Sequence, residues 1–298
     1  MINNLPLHRL KVINLDHCFA IRPSTILSLL SLQHNTTTLQ VLCLNSCDLV
    51  ESIESTPRRA PTVTRNNPIV NQILDKIKEF KGLKVLDLTG TCGIGEWEVR
   101  YLFLDERGEG VEEEEDETKP ATESDTPQLR PSPFPNLREL GLYPSAFTAD
   151  IIEAVGSRLK KMAIRRDRGR QGSPLGAAFQ VGKESLRELT VYGHCFWEQP
   201  EILQAALPCE NLRVLILLTE TFHYETLPMV IENLPQLEFL EVSGTPTTYR
   251  KVKCRSASLK VLSIVGDGVR AVGYFYIKCP QLHTVLLKAA QTFFGDLK

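Results

Sequence analysis

With 298 residues, 42% of them hydrophobic, the chain is long enough to bury a large core. Its formal charge of -2 argues by itself neither for nor against a nucleic-acid partner. No run of about 18 apolar residues exists for a membrane span, and no apolar core follows a basic start as in a signal peptide.

Taken in order, the chain repeats one pattern: Leu, two residues, an apolar residue, one residue, an apolar residue. Ten copies begin at Leu10, Leu39, Leu83, Leu137, Leu159, Leu186, Leu212, Leu237, Leu259 and Leu282. The spacings are 29, 44, 54, 22, 27, 26, 25, 22 and 23 residues. Seven of the nine fall in the window of a leucine-rich repeat, about 20–29 residues. Within each copy the fourth and sixth positions alternate as a strand with one buried face requires. Between copies lie runs with helical spacing: Ile26, Leu27, Leu29, Leu30; Ile69, Ile73, Leu74, Ile77; Ile151, Ile152, Val155; Ile202, Leu203, Ala206; and Val230, Ile231, Leu234. The prediction is an α/β leucine-rich-repeat solenoid (horseshoe) of about ten repeats, with an inner parallel β-sheet and outer helices. Residues 1–298 then form a single domain, because each repeat buries its apolar edge on its neighbours.

Two insertions interrupt the period. Residues 51–67 are rich in Pro, Thr, Ser and Arg and read as a surface loop before a helix near Pro68. Residues 93–104 are expected to be helical. Residues 105–135 then form an acidic insertion, expected to be disordered, because high charge and little apolar content leave nothing to bury. Its stretch 105–125 carries a net charge of -9, which leaves +7 on the rest of the chain. Later, residues 164–172 read IRRDRGRQG, an arginine cluster in a rim loop.

The eight cysteines follow the repeat. Cys18 and Cys47 occupy its ninth position, Cys92 and Cys195 the tenth, while Cys209 and Cys279 precede strands. A small side chain with weak hydrogen-bonding capacity fits the turn leaving each strand. This scatter is a packing pattern of reduced thiols, which implies a cytoplasmic or nuclear protein.

Positions three, five and seven are expected to face the concave side. Tyr143, Arg165 and Tyr192 share position seven in three consecutive repeats and should form one row of residue types enriched at binding hot spots. Val214, Ile216, Leu218 and Phe239 put apolar side chains where solvent is expected, which marks an interaction surface. Tyr143, Arg165, Tyr192, Ile216, Leu218 and Phe239 are thus the candidate partner-binding residues. Late in the chain Val261, Ser263 and Val265 are also expected on this face. Arg166, Arg168 and Arg170, beside Arg165, are candidates for an anion or acidic-peptide contact. The ordinary alternative is a solvated loop; another is that the acidic insertion folds back onto the cluster.

Signals for chemistry are poor. GTCGIG at 90–95 lacks a following Lys-Ser or Lys-Thr, the six histidines are scattered, and no Gly-X-Ser-X-Gly occurs. No catalytic residue, metal or cofactor is expected, so the chain is read as a non-enzyme. The expected partner is a protein, with no nucleic acid and no membrane; a scaffold without catalytic activity is the other reading.

The copies LQVLCLNSC and LRELTVYGHC resemble the cysteine-containing repeats of intracellular F-box and leucine-rich-repeat proteins, and the irregular lengths and insertions are similar to fungal members. The resemblance implies a solenoid that selects substrates for a cullin (SCF-type) ubiquitin ligase. In that family an F-box ahead of the repeats binds a ligase adaptor. Here INNLPLHRL leads straight into a repeat strand and leaves no room for a three-helix F-box, so the adaptor is a partner only if an F-box exists upstream.

Overall fold

The computed structural model describes residues 9–32, 37–49, 67–105, 132–143, 146–155, 158–166, 175–193, 199–222, 226–246, 252–265 and 275–288. In chain order the elements are β1 (Val12–Asn14), α1 (Pro23–Ser31), β2 (Val41–Cys43), α2 (Pro68–Glu79), β3 (Val85–Asp87), α3 (Glu96–Leu104), β4 (Glu139–Leu142) and α4 (Ala149–Val155). There follow β5 (Lys161–Arg166), α5 (Leu175–Gly182), β6 (Glu188–Gly193), α6 (Gln199–Ala206), β7 (Val214–Phe222), α7 (Thr226–Asn233) and β8 (Phe239–Pro246). The last elements are β9 (Val252–Arg255), β10 (Val261–Val265), β11 (Phe275–Lys278) and β12 (Thr284–Lys288).

Ten strands form one open, all-parallel sheet in the order β1-β2-β3-β4-β5-β6-β7-β8-β10-β12. Each of these strands belongs to one of the ten copies, beginning two residues after its first leucine. The register keeps repeat positions in line: Val12, Val41, Val85, Glu139, Lys161, Glu188, Val214, Phe239, Val261 and Thr284 are successive partners. The architecture is compatible with a leucine-rich-repeat-like solenoid.

One backbone device runs the length of the sheet at its leading edge. The carbonyl at position two of a repeat accepts the N–H groups of positions two and three of the next. Lys11 O thus takes Gln40 N at 2.8 Å and Val41 N at 3.0 Å. The same pair recurs on the carbonyls of Gln40, Lys84, Arg138, Lys160, Arg187, Arg213, Glu238 and Lys260. Side chains add rungs. Asn136 Nδ2 donates to Lys81 O (3.0 Å), Asn211 Nδ2 to Glu184 O (3.1 Å) and Ser258 Oγ to Leu237 O (2.9 Å). Where strands end, position nine acts in the same way: Cys47 Sγ donates to Leu15 O (3.1 Å) and Thr91 Oγ1 to Leu44 O (2.7 Å). The ninth-position cysteine is therefore a hydrogen-bonding residue that threonine replaces one repeat later.

The leucines at positions one, four and six are buried together with the inward helix residues, for example Leu83, Leu86 and Leu88 with Ile73, Leu74 and Ile77. Helices α1 to α7 pack each on the next, on the side of the sheet where those leucines point. α2 illustrates the local logic: Asn67 Oδ1 accepts Ile69 N (3.1 Å), Pro68 opens the helix, and Val70, Ile73, Leu74 and Ile77 turn inward. At β12 the burial fails: Val285 and Leu287, at positions buried from β2 to β10, are 48% and 49% exposed.

Three features depart from the sequence expectation. After β8 and β10 the outer element is a strand, and β9 and β11 pair in a parallel two-stranded sheet. In β9 the alternation of exposed Lys253, buried Cys254 and exposed Arg255 has the period of a strand. α5, LGAAFQVG, carries two glycines and too little periodicity to register, yet buries Phe179 completely. The acidic insertion also ends sooner than 135. Phe134 is fully buried, its ring 5.4 Å from that of Phe103 in an edge-on contact. At the other end Asp105, left-handed at φ 58°, closes α3 and pairs with Lys78 at 2.8 Å, while Lys78 Nζ lies 3.4 Å over the Tyr101 ring. Residues 106–131, and 51–66 of the predicted surface loop, lie outside the described residues.

Thr91→Val should remove one of the two donors to the buried Leu44 carbonyl, leaving the Cys47 N–H, and cost about 0.5–1.5 kcal/mol, whereas Thr91→Cys, which repeats the Cys47 arrangement, should restore most of the loss. Urea unfolding followed by circular dichroism measures both. By the same measurement, Leu215→Asp, which puts a charge at a side chain 1% exposed, should abolish the cooperative transition.

Candidate binding face

The side of the sheet opposite the helices presents positions three, five and seven as three rows crossing the strands. In the middle row the partners run Asn14, Cys43, Asp87, Gly141, Ala163, Thr190, Ile216, Glu241, Ser263 and Leu286. Gly141 and Ala163 are the smallest side chains there, and both are among the residues that line a hollow in the sheet. The hollow has a volume of about 360 Å³. Asp87, Glu139 and Lys161 line it toward β3–β5, and Tyr192, Ile216 and Leu218 toward β6–β7.

Gly141 is required by its neighbour. A Cβ there would overlap Asp87 Oδ1 and come within 2.8 Å of Asp87 Cγ. The missing side chain lets the Asp87 carboxylate lie across β4, where Oδ1 accepts Thr89 N at 2.9 Å and also the Thr89 hydroxyl. Burial still raises the pKa of Asp87 above the ordinary carboxylate value, opposed by the Thr89 hydrogen bonds, and Asp16 adds to the rise while Lys161 lowers it. The Cys43 thiol is pushed up to about 12, first by burial and then by Asp16, Asp87 and Glu139. It is a neutral, poorly nucleophilic group at neutral pH.

Lys161 lies 3.7 Å from Glu139 and 3.4 Å from Glu188, so one cation is shared by carboxylates on both neighbouring strands. Farther along, Lys288 on β12 reaches Glu241 on β8 at 3.1 Å. That bridge passes over β10, the strand between them. There Ser263 and Val265, predicted to face solvent, are 0% and 7% exposed, a departure from expectation.

The predicted site residues are brought together in part. Tyr192, Ile216 and Leu218 converge on the hollow. Arg165 is the register partner of Tyr192, and Leu218 is the next. Tyr143, one residue beyond β4, is partly buried in the same row. Phe239 belongs to the first row as the partner of Val214 and is partly buried, away from the hollow. Arg166 is in β5, opposite Gly193; the side chains of Arg165 and Arg166, and all of Arg168 and Arg170, lie outside the described residues. Sequence reasoning missed Gly141 and Ala163. The available signal was two consecutive repeats with the smallest residues at position five.

Among the described residues, no group of three His, Cys, Asp or Glu is placed to hold a metal ion, and no helix is long and apolar enough to cross a membrane. Compared with known proteins, the chain matches no family model and no curated relative.

Asp87 gives the face a testable pH signature. Because its folded pKa is raised, its contribution is most favourable below the unfolded carboxylate pKa and is lost as pH rises through the folded value. Asp87→Asn, which keeps an oxygen for Thr89, should therefore be more stable than the parent at neutral pH. That advantage should shrink as pH falls into the carboxylate range, which urea midpoints across acidic and neutral pH would measure.

Proposed function

We propose that this chain is a leucine-rich-repeat recognition module that binds a protein partner on the open face of its sheet and performs no chemistry itself. The observation that carries this reading is the convergence of Tyr192, Ile216 and Leu218 on one hollow, on a face that the helices leave uncovered. An aromatic ring and two aliphatic side chains beside paired carboxylates form the kind of apolar centre with a charged margin at which binding energy concentrates. The parallel ladder holds these side chains in place before a partner arrives, which lowers the ordering cost of association. The quenched Cys43 thiol is in keeping with a surface that recognises and does not react.

The test compares the parent chain with Tyr192→Ala, Leu218→Asp as bait in an extract of native cells, with Lys76→Ala on the helix side as control. A partner retained by parent and control and lost from the double variant is the expected result. Its Kd should rise roughly thirtyfold or more, the scale of a hot-spot loss. Recovery of the same proteins by all three baits would overturn the reading. A cullin adaptor among the retained proteins would identify the module as the substrate-recognition part of a ubiquitin ligase.

A further inference from the structure

The leading edge of the sheet carries a second surface, distinct from the open face. Position two of each repeat supplies the carbonyl of the backbone ladder, and its side chain projects at the rim. From β1 to β7 these residues are Lys11, Gln40, Lys84, Arg138, Lys160, Arg187 and Arg213, six cations in seven successive repeats. Lys11, Lys84, Arg138, Lys160 and Arg213 are exposed and Arg187 is partly so.

Few of these charges are neutralised within the fold. Lys84 Nζ donates to the neutral Gln40 Oε1 at 3.1 Å, and Arg187 donates to the Asn211 carbonyl at 3.3 Å. Lys11, Arg138, Lys160 and Arg213 make no side-chain ion pair among the described residues. The row ends where position two becomes Glu238, which pairs with Lys260 at 3.3 Å. Because the carbonyls beneath are tied strand to strand, the backbones that carry these side chains are spaced about 4.8 Å apart, and the row from β1 to β7 is about 29 Å long. Like charges on neighbouring strands repel one another, and a polyanion relieves several of them together.

We propose that this rim binds an acidic, extended segment of a partner protein. An extended chain covers the row with about eight or nine residues, and lysine and arginine stems reach carboxylates on either side of it. Nucleic acid fits less well: the rim offers bases no aromatic platform, since position two holds no Phe, Tyr or Trp in any repeat. Exposed Glu184 and Glu210 in the turns before β6 and β7 also interrupt the basic field, which discrete carboxylates tolerate better than a continuous phosphate backbone.

The experiment is fluorescence anisotropy of a labelled decaglutamate peptide with the full chain, the triple variant Arg138→Ser, Lys160→Ser, Arg213→Ser, and a charge-matched control, Lys76→Ser, Lys253→Ser, Arg255→Ser. All six side chains are at the surface, and equal urea midpoints would verify that each protein is folded. Expected are saturable binding by parent and control, a Kd at least about tenfold weaker for the triple variant, and loss of binding as salt rises from about 0.05 to about 0.5 M. Absence of saturable binding at low salt, or equal weakening in the control, would overturn the proposal. Tighter binding of an oligouridylate of the same charge would also overturn it, in favour of nucleic acid.

Discussion

The structure depends on one constraint: every strand must lie in the same frame as its neighbour, because a single carbonyl at position two serves two N–H groups of the next repeat. A slip of one residue at any strand would turn its leucines outward and its polar residues into the core. It would also break the two shared hydrogen bonds. Hydrophobic pattern and backbone pairing therefore select the same register, and neither has to overrule the other. Gly82 shows how closely the repeats approach at this edge. A Cβ there would overlap the Thr37 carbonyl oxygen and come within 2.7 Å of its carbon.

The same ladder explains why one sheet can present two surfaces of different character. Odd positions from three onward face away from the helices, where carboxylates share Lys161 and apolar groups cluster on β7. Position two precedes the strand proper, so its side chain is directed to the rim and its charge is not averaged with those of the face. The basic row and the hollow are thus separate consequences of one register. Substitutions at Arg138 or Lys160 need not disturb Tyr192 or Leu218.

What the sequence revealed follows from how strongly each feature repeats. The leucine frame, the ten sheet strands and the runs that became α1, α2, α4, α6 and α7 were legible because burial imposes a period, and a period survives irregular spacing. Single events were less visible. α5 has only a short, glycine-containing stretch to announce it, and β9 and β11 are four residues each. Phe134 sits next to a charged insertion, where one apolar residue between prolines carries little weight, although it fills a core site beside Phe103. Of the candidate site, Tyr192, Ile216 and Leu218 were found because they break the expected polarity of their positions. Gly141 and Ala163 went unnoticed because small residues carry no apolar or charged signal, and the place left by Gly141 is taken by the Asp87 carboxylate. The burial of Ser263 and Val265, and the bridge between Glu241 and Lys288, 47 residues apart, that passes over their strand, are announced by no local pattern.

The anchoring of Asp105 and Phe134 has a consequence for how such a chain can change. The two ends are fixed, one at a helix end held by Lys78 and the other at a ring locked on Phe103, so a flexible splice placed between them would pay a closure cost that grows only slowly with its length. Doubling the length of such a splice adds only about 0.6 kcal/mol of closure entropy. Whole modules could be exchanged at that point over evolution, or grafted there by design, while the repeats on either side keep their alignment.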